Sequence, residues 1–428
     1  MAFEPTTRFV LEYESELRVH VGEKTRAVKI ELENGKAEIC GTQMLLNKVY
    51  ELPPNVSIGV FSWQGCTLKL TGNPKYVKTE KETLMILNTI MHACLQEQRN
   101  IAQETNTKGP VTLVVGPTDV GKTTLCQTLL NYAARMEFRP IFVDLDVGQS
   151  NISIPGSVGI LCVDKPADIV EGFEVTAAKV YHFGYKSPSF NLPLYFLLLK
   201  HLANVIKNGL SVARPIVRSS GVIINTCGWV RGHGYDIITH AAMAFEVDRI
   251  VVIGEERLQE QLTRDVPASV KVEYMPRLSG AVERSKSSRI RSREARILNY
   301  FYGSTRQFSN YTITVPFSDV RIYTIPQEHV SDDAKIDSLS IDIESVKMKP
   351  VSWSTGLKDQ VLALMKVPKS VETVPDDLVT TEVLGYVMIL DVNMKAQVIQ
   401  IKSPQPNSLP SKYFLMGDRK FNEHIIVE

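Results

Sequence analysis

Apolar and polar residues alternate with period two through roughly the first 75 residues. Leu17, Val19 and Val21 alternate with polar neighbours, as do Val28, Ile30 and Leu32. Val56, Ile58 and Val60, then Cys66, Leu68 and Leu70, repeat the pattern. Period two places one side chain in every pair on the same face, so these runs predict half-buried antiparallel strands and a small sandwich. Asn34-Gly35, between residues 28–32 and 37–40, predicts a tight hairpin there. No catalytic constellation stands out in this region. The period then changes. Leu84, Leu87, Ile90, Met91 and Leu95 share one helical face, predicting a connecting helix that the polar stretch 104–110 ends.

From 111 to about 303, strand-like and helix-like patterns alternate, which predicts a parallel sheet with crossover helices. Residues 111–115, 140–146, 221–226 and 249–254 read as its buried strands. A helix through Ile237, Ile238, Ala241, Ala242 and Phe245 precedes the last of these. Beyond about 304 the pattern is β-rich again, with strands predicted at 311–315, 320–325, 385–390 and 397–401 and an exposed acidic, Ser-rich loop at 327–349. The predicted domains are therefore 1–104, 105–303 and 304–428: an N-terminal all-β sandwich with a linker helix, a central α/β domain and a small C-terminal domain.

The central domain carries the clearest chemistry. Gly116-Pro117-Thr118-Asp119-Val120-Gly121-Lys122-Thr123-Thr124 fits G-x-x-x-x-G-K-[ST], with a strand before it and helical spacing after it. Such a loop wraps phosphate oxygens with backbone N–H groups at a helix N-terminus. Thr118 to Thr124 are thus predicted to bind a nucleoside triphosphate, with Lys122 on the β- and γ-phosphates and the Thr123 hydroxyl on Mg²⁺. Asp119 is unexplained by this reading, since a carboxylate beside a triphosphate is unfavourable without a cationic, metal or backbone partner. Asp146 ends the next strand, and ligands in open α/β sheets bind beyond strand C-termini. It can serve as the base for an alcohol acceptor, hold the metal directly or through water, or simply cap a turn. Asp144 lies deeper and is the weaker candidate. Gln149 follows a glycine turn within reach of a metal or phosphate.

Arg284, Arg289, Arg291, Arg293 and Arg296 cluster within thirteen residues, with Lys286 and four serines nearby. Three readings compete: a mobile lid whose arginines neutralise the transferring phosphoryl group and exclude water, a nuclear-localisation or nucleic-acid patch, and a solvated helix face. The lid leads because the cluster lies in the nucleotide domain. Thr226, Trp229 and Arg231 follow a third strand end. Trp229 is placed to stack on a base of single-stranded nucleic acid, or else to cover the sheet edge.

The remaining composition narrows the picture. At 428 residues the chain has room for two or three domains, and a net charge of +1 gives no global pull toward nucleic acid. Six scattered cysteines without a C-x-x-C pair argue against a zinc site or a disulfide scaffold. The longest apolar run, at 192–199, is too short to span a bilayer, and the first residues lack the apolar core of a signal peptide, so a soluble nuclear or cytosolic protein with no membrane partner is expected. There is no N-K-x-D guanine-reading motif and no H-E-x-x-H.

These motifs together resemble the eukaryotic polyribonucleotide 5′-hydroxyl kinase family, whose members join the pre-mRNA cleavage and polyadenylation machinery. The resemblance rests on the P-loop, on Asp144-Leu145-Asp146-Val147-Gly148-Gln149, Ile154-Pro155-Gly156, Tyr181-His182-Phe183-Gly184 and Ile224-Asn225-Thr226-Cys227-Gly228-Trp229, and on Ser15-Glu16-Leu17-Arg18 in the first domain. It implies a C-terminal α/β domain, ATP and Mg²⁺ as cofactors, and RNA with a 5′-hydroxyl end as acceptor. It implies that Glu16 contacts the adenine, that Trp229 holds the RNA terminus together with Gln149, Thr226 and Arg293, and that segment 284–296 is the lid. It further implies that Asp146 is the base, with Lys122, Arg289 and Arg293 serving the transfer. Nuclear location, and partners in the cleavage/polyadenylation and tRNA splicing endonuclease complexes, are also implied. Some fungal relatives hold ATP without kinase activity; here Lys122, Thr123, Asp146 and the arginines are all present, which favours the active reading. A nucleotide-locked scaffold and a small-nucleoside kinase are the alternatives.

Overall fold

A computed structural model describes residues 4–22, 25–81, 83–278, 280–303, 308–328, 330, 346–406 and 408–421. The first sheet contains β1 (Thr6–His20), β2 (Val28–Gly35), β3 (Glu38–Ile39), β4 (Thr42–Gln43), β5 (Val49–Leu52), β6 (Ser57–Thr71) and β7 (Tyr76–Glu80). Long β1 and β6 pair antiparallel along most of their length; β7 pairs with β1, and β2 and β3 with the other edge of β6. The alternating residues turn inward as predicted, with Leu17, Val19, Val28, Ile30, Leu68 and Leu70 in one core. The predicted hairpin does not form. Asn34 and Gly35 stay in β2 and face Thr67 and Cys66 of β6 across a register shift. Only Gly35 of the two has a positive φ, so the pair makes a bulge where a type I′ turn needs two such residues.

Helix α1 (Met85–Glu104) connects to the second sheet. Its buried face is rotated from the predicted one: Ile90 is exposed, while Asn88 and Arg99 are buried. Arg99 is held there by donating from Nε to the Ser220 carbonyl at 2.9 Å.

The central domain then runs β8 (Val111–Val115), α2 (Lys122–Arg135), β9 (Ile141–Asp144), β10 (Ser157–Cys162), β11 (Lys179–His182), α3 (Leu192–Val212), α4 (Pro215–Ser220), β12 (Val222–Asn225), α5 (His233–Ala244), β13 (Arg249–Ile253), α6 (Glu256–Asp265), β14 (Lys271–Met275) and α7 (Lys286–Tyr302). The sheet order is β11-β10-β9-β12-β8-β13-β14. Five strands are parallel: the four predicted ones, β8, β9, β12 and β13, and β14, which the sequence pattern did not announce; β10 and β11 add an antiparallel edge that it did not announce either. Helices α3, α5 and α6 cover one face, and α1 and α2 cover the other. The long apolar run opens α3, where Leu194, Leu198, Leu199 and Leu202 are all buried. Each such leucine contributes on the order of 1.5–3 kcal/mol by leaving water. No helix among the described residues is long and apolar enough to cross a membrane.

The third sheet contains β15 (Tyr311–Pro316), β16 (Arg321–Thr324), β17 (Lys349–Pro350), β18 (Gln360–Met365), β19 (Val383–Asn393), β20 (Val398–Ser403) and β21 (Tyr413–Lys420), in the order β15-β20-β19-β18-β21-β16-β17. The described residues beyond 308 form no α-helix; α7 supplies the helical layer. Its Ile297 and Phe301 pack with Met365, Tyr386, Tyr413 and Leu415. Most of the predicted 327–349 loop lies outside the described residues, but Val346 at its end is buried against the central core.

The three sheets are joined by polar contacts as well. Asn131 donates to the Cys40 carbonyl at 2.8 Å, and Arg135 pairs with Glu38 at 2.7 Å. The Asp418 amide donates to the Gly184 carbonyl at 2.9 Å, and Asn191 donates to the Pro326 carbonyl at 2.8 Å.

Candidate active site

Strands β9, β12 and β8 are neighbours, so the loops leaving their C-terminal ends share one cleft. The loop after β8 is the P-loop. It ends in Gly121, whose φ of +101° starts α2 and whose Cα faces the Leu278 side chain so closely that a Cβ would lie 2.5 Å from it. Lys122 is buried, and its Nζ donates to the carbonyls of Gly116 at 2.8 Å and Pro117 at 2.6 Å. Burial lowers its pKa, and the charge of Asp146 opposes that shift. Thr123 and Thr124 follow in the first turn of α2, and Thr118 is exposed at the loop crest.

Asp146 lies past the end of β9 and not on it. Its Oδ1 accepts from the amides of Gly148 at 2.9 Å and Gln149 at 3.1 Å. The turn-capping role therefore occupies one oxygen; Oδ2 makes no hydrogen bond among the described residues. Burial raises the Asp146 pKa against the opposing pull of Lys122, which makes it a stronger proton acceptor than an exposed aspartate. Asp144 has a different part. Its Oδ1 accepts from the Asp146 amide and from Asn225, and its Oδ2 from the Asn151 amide and side chain. Fully buried and pushed up to about 6, chiefly by burial, it anchors the turn that aims Asp146.

The loop after β12 touches the P-loop directly. A Cβ on Gly228 would lie 2.3 Å from Thr118 Cγ2 and 2.6 Å from the Thr118 amide. Trp229 is half-buried beside this contact, edge-on to His233 with ring centroids 6.4 Å apart. The Thr226 hydroxyl donates to the Val114 carbonyl at 2.8 Å and is buried in the sheet, so it faces the fold more than the cleft. Gln149 is partly exposed, beside Asp146.

The arginine cluster supplies the partner that Asp119 needs. Asp119, with φ +59°, accepts from the Arg284 amide and Nε, both at 3.0 Å, and from Arg289 Nη2 at 2.7 Å. Only 3% of its side chain is exposed. Burial alone would raise its pKa, but the bonds and charges of Arg284 and Arg289 bring it below the usual value. Arg293 lies within the electrostatic reach of both Arg289 and Asp146. Arg296 donates to the Ser150 carbonyl at 3.0 Å and to Asn151 at 3.3 Å, which ties α7 to the Asp144 turn. Arg291 is exposed on the opposite side of the helix. Helix α7 is anchored and not free-standing: Asn55 of the first domain bonds Ser288 at 2.9 Å and Ser292 at 3.2 Å, and Ile297 and Phe301 are buried in the third domain. These contacts hold α7 over the P-loop in this conformation, and the buried Ser288 and Ile297 are inconsistent with a merely solvated face.

Glu16 reaches the same region from β1. A Cβ on Gly59 would sit 1.8 Å from its Oε1, and one on Gly280 3.7 Å from it. It thus lies between the β-domain and Gly280, two residues from Leu278, which covers Gly121. Burial raises its pKa, with Arg18 opposing. The sequence reading missed Asn55, Asn151 and Leu278, isolated residues whose importance comes from contacts made in the fold, and quoted Asn225 within a motif without giving it a role.

Comparison with known proteins agrees along the whole chain. Residues 116–303 match the family described as mRNA cleavage and polyadenylation factor CLP1 P-loop. Residues 10–102 match the N-terminal beta-sandwich domain of polyadenylation factor, and 308–423 match pre-mRNA cleavage complex II protein Clp1. The chain is 40% identical to "Protein CLP1 homolog" of Anopheles gambiae over 417 residues, 97% of each chain. It is 41% identical to "Polyribonucleotide 5′-hydroxyl-kinase Clp1" of Homo sapiens and of Rattus norvegicus, again over 417 residues and 97% of each chain. Two solved structures share the fold at 19% identity. One is a wild-type Clp1p–Pcf11p complex (TM-score 0.81, 97% of this chain and 98% of that one). The other concerns an extended Pcf11p–Clp1p interface and the structural basis for ATP loss in a point mutant (TM-score 0.82, 97% and 99%).

Proposed function

This chain belongs to the Clp1 family, and from that premise we propose that it is an ATP- and Mg²⁺-dependent polyribonucleotide 5′-hydroxyl kinase. The observation that carries the proposal is the single cleft in which Lys122 of the P-loop, Asp146 and the Trp229 loop converge under Arg284, Arg289 and Arg293. A P-loop alone binds phosphate; an alcohol acceptor needs a proton acceptor beside it and water kept away.

ATP is the donor of the γ-phosphoryl group, and a bound Mg²⁺ would supply neutralisation of its oxygens. The residues present fit that ion: Mg²⁺ keeps several waters and takes one or two protein oxygens besides phosphates; the Thr123 hydroxyl would hold it directly and Asp146 through one of those waters, which leaves Oδ2 to take the proton. Asp144 is excluded, because both its oxygens are filled. Lys122 binds the phosphates through the same Nζ that now contacts the loop carbonyls. Asp146 orients the 5′-hydroxyl and takes its proton late in the transfer. Arg289 and Arg293 face the charge that spreads onto the phosphoryl oxygens. In this reading Glu16 contacts the adenine, as the family resemblance implies, and Trp229 holds the terminal base, with Gln149 beside Asp146.

The reading places the protein in the nucleus, acting in pre-mRNA 3′-end processing and tRNA splicing, with subunits of the cleavage/polyadenylation and tRNA splicing endonuclease complexes as partners. Incubation with γ-labelled ATP, Mg²⁺ and a 5′-hydroxyl RNA tests it. Label on the RNA is expected, and its loss in Lys122→Ala. ATP that copurifies and never turns over would instead leave a nucleotide-locked scaffold.

A further inference from the structure

Arg419 has no place in the chemistry above, yet it lies beside it. It stands near the end of β21, two residues after Gly417, whose Cα packs against Gly184 so closely that a Cβ on either would meet the other's backbone, at 2.2 Å and 3.1 Å. Gly184 leads to Lys186, and the Lys186 carbonyl is 3.1 Å from where a Cβ on Gly148 would be, in the Asp146 turn. Strand β21 is thereby held against the acceptor side of the cleft.

Its guanidinium is poorly provided for. Among the described residues, the buried Nε and Nη2 of Arg419 donate to no oxygen, and the carboxylate of Asp418 stands at 3.6 Å. The buried Nε of Arg289 is likewise unpartnered. Arg289 and Arg293 are one turn apart on α7, whose Ile297 and Phe301 pack with Tyr413 and Leu415 of β21, the strand that carries Arg419; Glu294 and Asp418 are the carboxylates that act on both Arg293 and Arg419. The buried N–H groups left unfilled on Arg289 and Arg419 are costly unless an anion completes them. Arg419 keeps 17% of its side chain exposed, so an anion can reach it from solvent.

We propose that Arg419 of the C-terminal domain extends the lid arginines into a track for the phosphodiester backbone of the acceptor strand, taking a phosphate beyond the 5′-terminal nucleoside, while Arg289 and Arg293 keep their place at the transferring phosphoryl group. This rests on the kinase reading. The occupant is the strand and not ATP, because of distance. The P-loop follows β8, and Gly184 follows β11, four strands away. At about 4.8 Å per strand that is roughly 19 Å, on the far side of Asp146. The C-terminal sheet then has a substrate-binding part besides its packing on α7.

Arg419→Gln and Arg419→Lys are compared with the unaltered protein, using fluorescein-labelled 5′-hydroxyl RNA for binding and γ-labelled ATP for transfer, with thermal melting as a check of folding. For Arg419→Gln the RNA Kd and KM rise about tenfold, the ATP KM holds, and the salt slope of RNA binding falls by about 0.7, the share of one phosphate on a single strand. Arg419→Lys keeps the salt slope and recovers part of the affinity. Unchanged RNA affinity and salt slope in a folded Arg419→Gln protein overturn the track, as does an equal rise in the ATP KM. Should Arg419→Gln fail to fold, a folded Arg419→Lys protein with unaltered RNA affinity overturns it too. RNA that binds without ever accepting phosphate refutes the kinase reading and leaves the track standing.

Discussion

Asp119 shows how one residue can be wrong locally and right in context. A carboxylate in a phosphate-binding loop repels the ligand, and a left-handed φ on a residue with a Cβ is strained. Both costs are offset by three charge-assisted hydrogen bonds from Arg284 and Arg289. The effect is to hold the arginines against the P-loop. Asp119→Ala frees them, and we expect phosphoryl transfer to RNA to fall roughly tenfold with a smaller change in the ATP KM, as for a contact that serves the transition state more than the ground state. Steady-state kinetics with each substrate varied would check this. The sequence exposed Asp119 as an anomaly but not its partners, which lie 165 and 170 residues away.

At the scale of elements, the cleft depends on loops that touch. Gly228 is the contact between the Trp229 loop and the P-loop, and an alanine there would run into the Thr118 backbone. Gly228→Ala should displace Trp229, raising the KM for both ATP and RNA several-fold and costing about 1–3 kcal/mol of stability by overpacking. Thermal melting and kinetics together measure it; an RNA-only effect would show that the loop moves without disturbing the P-loop. The strand, loop and helix around Lys122 were legible in sequence because motif and periodicity agree within about 25 residues. Strands β10 and β18 were not. Val158–Leu161 and Val361–Met365 are continuous apolar runs, and a run without alternation does not distinguish buried strand from buried helix. Asn34-Gly35 misled for the converse reason: a strong local turn signal was overridden when β2 found its partner in β6. Asp146 and the arginine segment were readable as candidates, while the way α7 is fixed by Asn55 and by the third sheet arises only from tertiary packing.

At the scale of the molecule, the central domain is clamped between two β domains, and its junction with the third carries a pH-sensitive group. His182, at the end of β11, is buried against Tyr386 with neither ring nitrogen bonded among the described residues. Burial pushes its pKa down to about 4, well below the ordinary histidine value near 6.5. The unfolded chain therefore takes up a proton that the folded one refuses, so stability falls as pH drops from about 6.5 toward 4, by roughly 2–3 kcal/mol for this group. In denaturant titrations, His182→Leu should be at least as stable as the unaltered protein relative to pH 7 when both are taken to pH 5, and the gap should vanish above pH 7. An identical acid slope in the two would contradict this.

The central claim is that the whole assembly directs phosphate to RNA and away from water. Its most direct measurement is the partition of the γ-label between a 5′-hydroxyl RNA and inorganic phosphate, in the unaltered protein and in Asp146→Asn. We predict that nearly all label appears at the RNA 5′ end, that a 5′-phosphorylated RNA receives none, and that Asp146→Asn lowers transfer by about 10²–10⁴-fold with ATP still bound. Label released mainly as inorganic phosphate, or transfer undiminished in Asp146→Asn, would contradict the account.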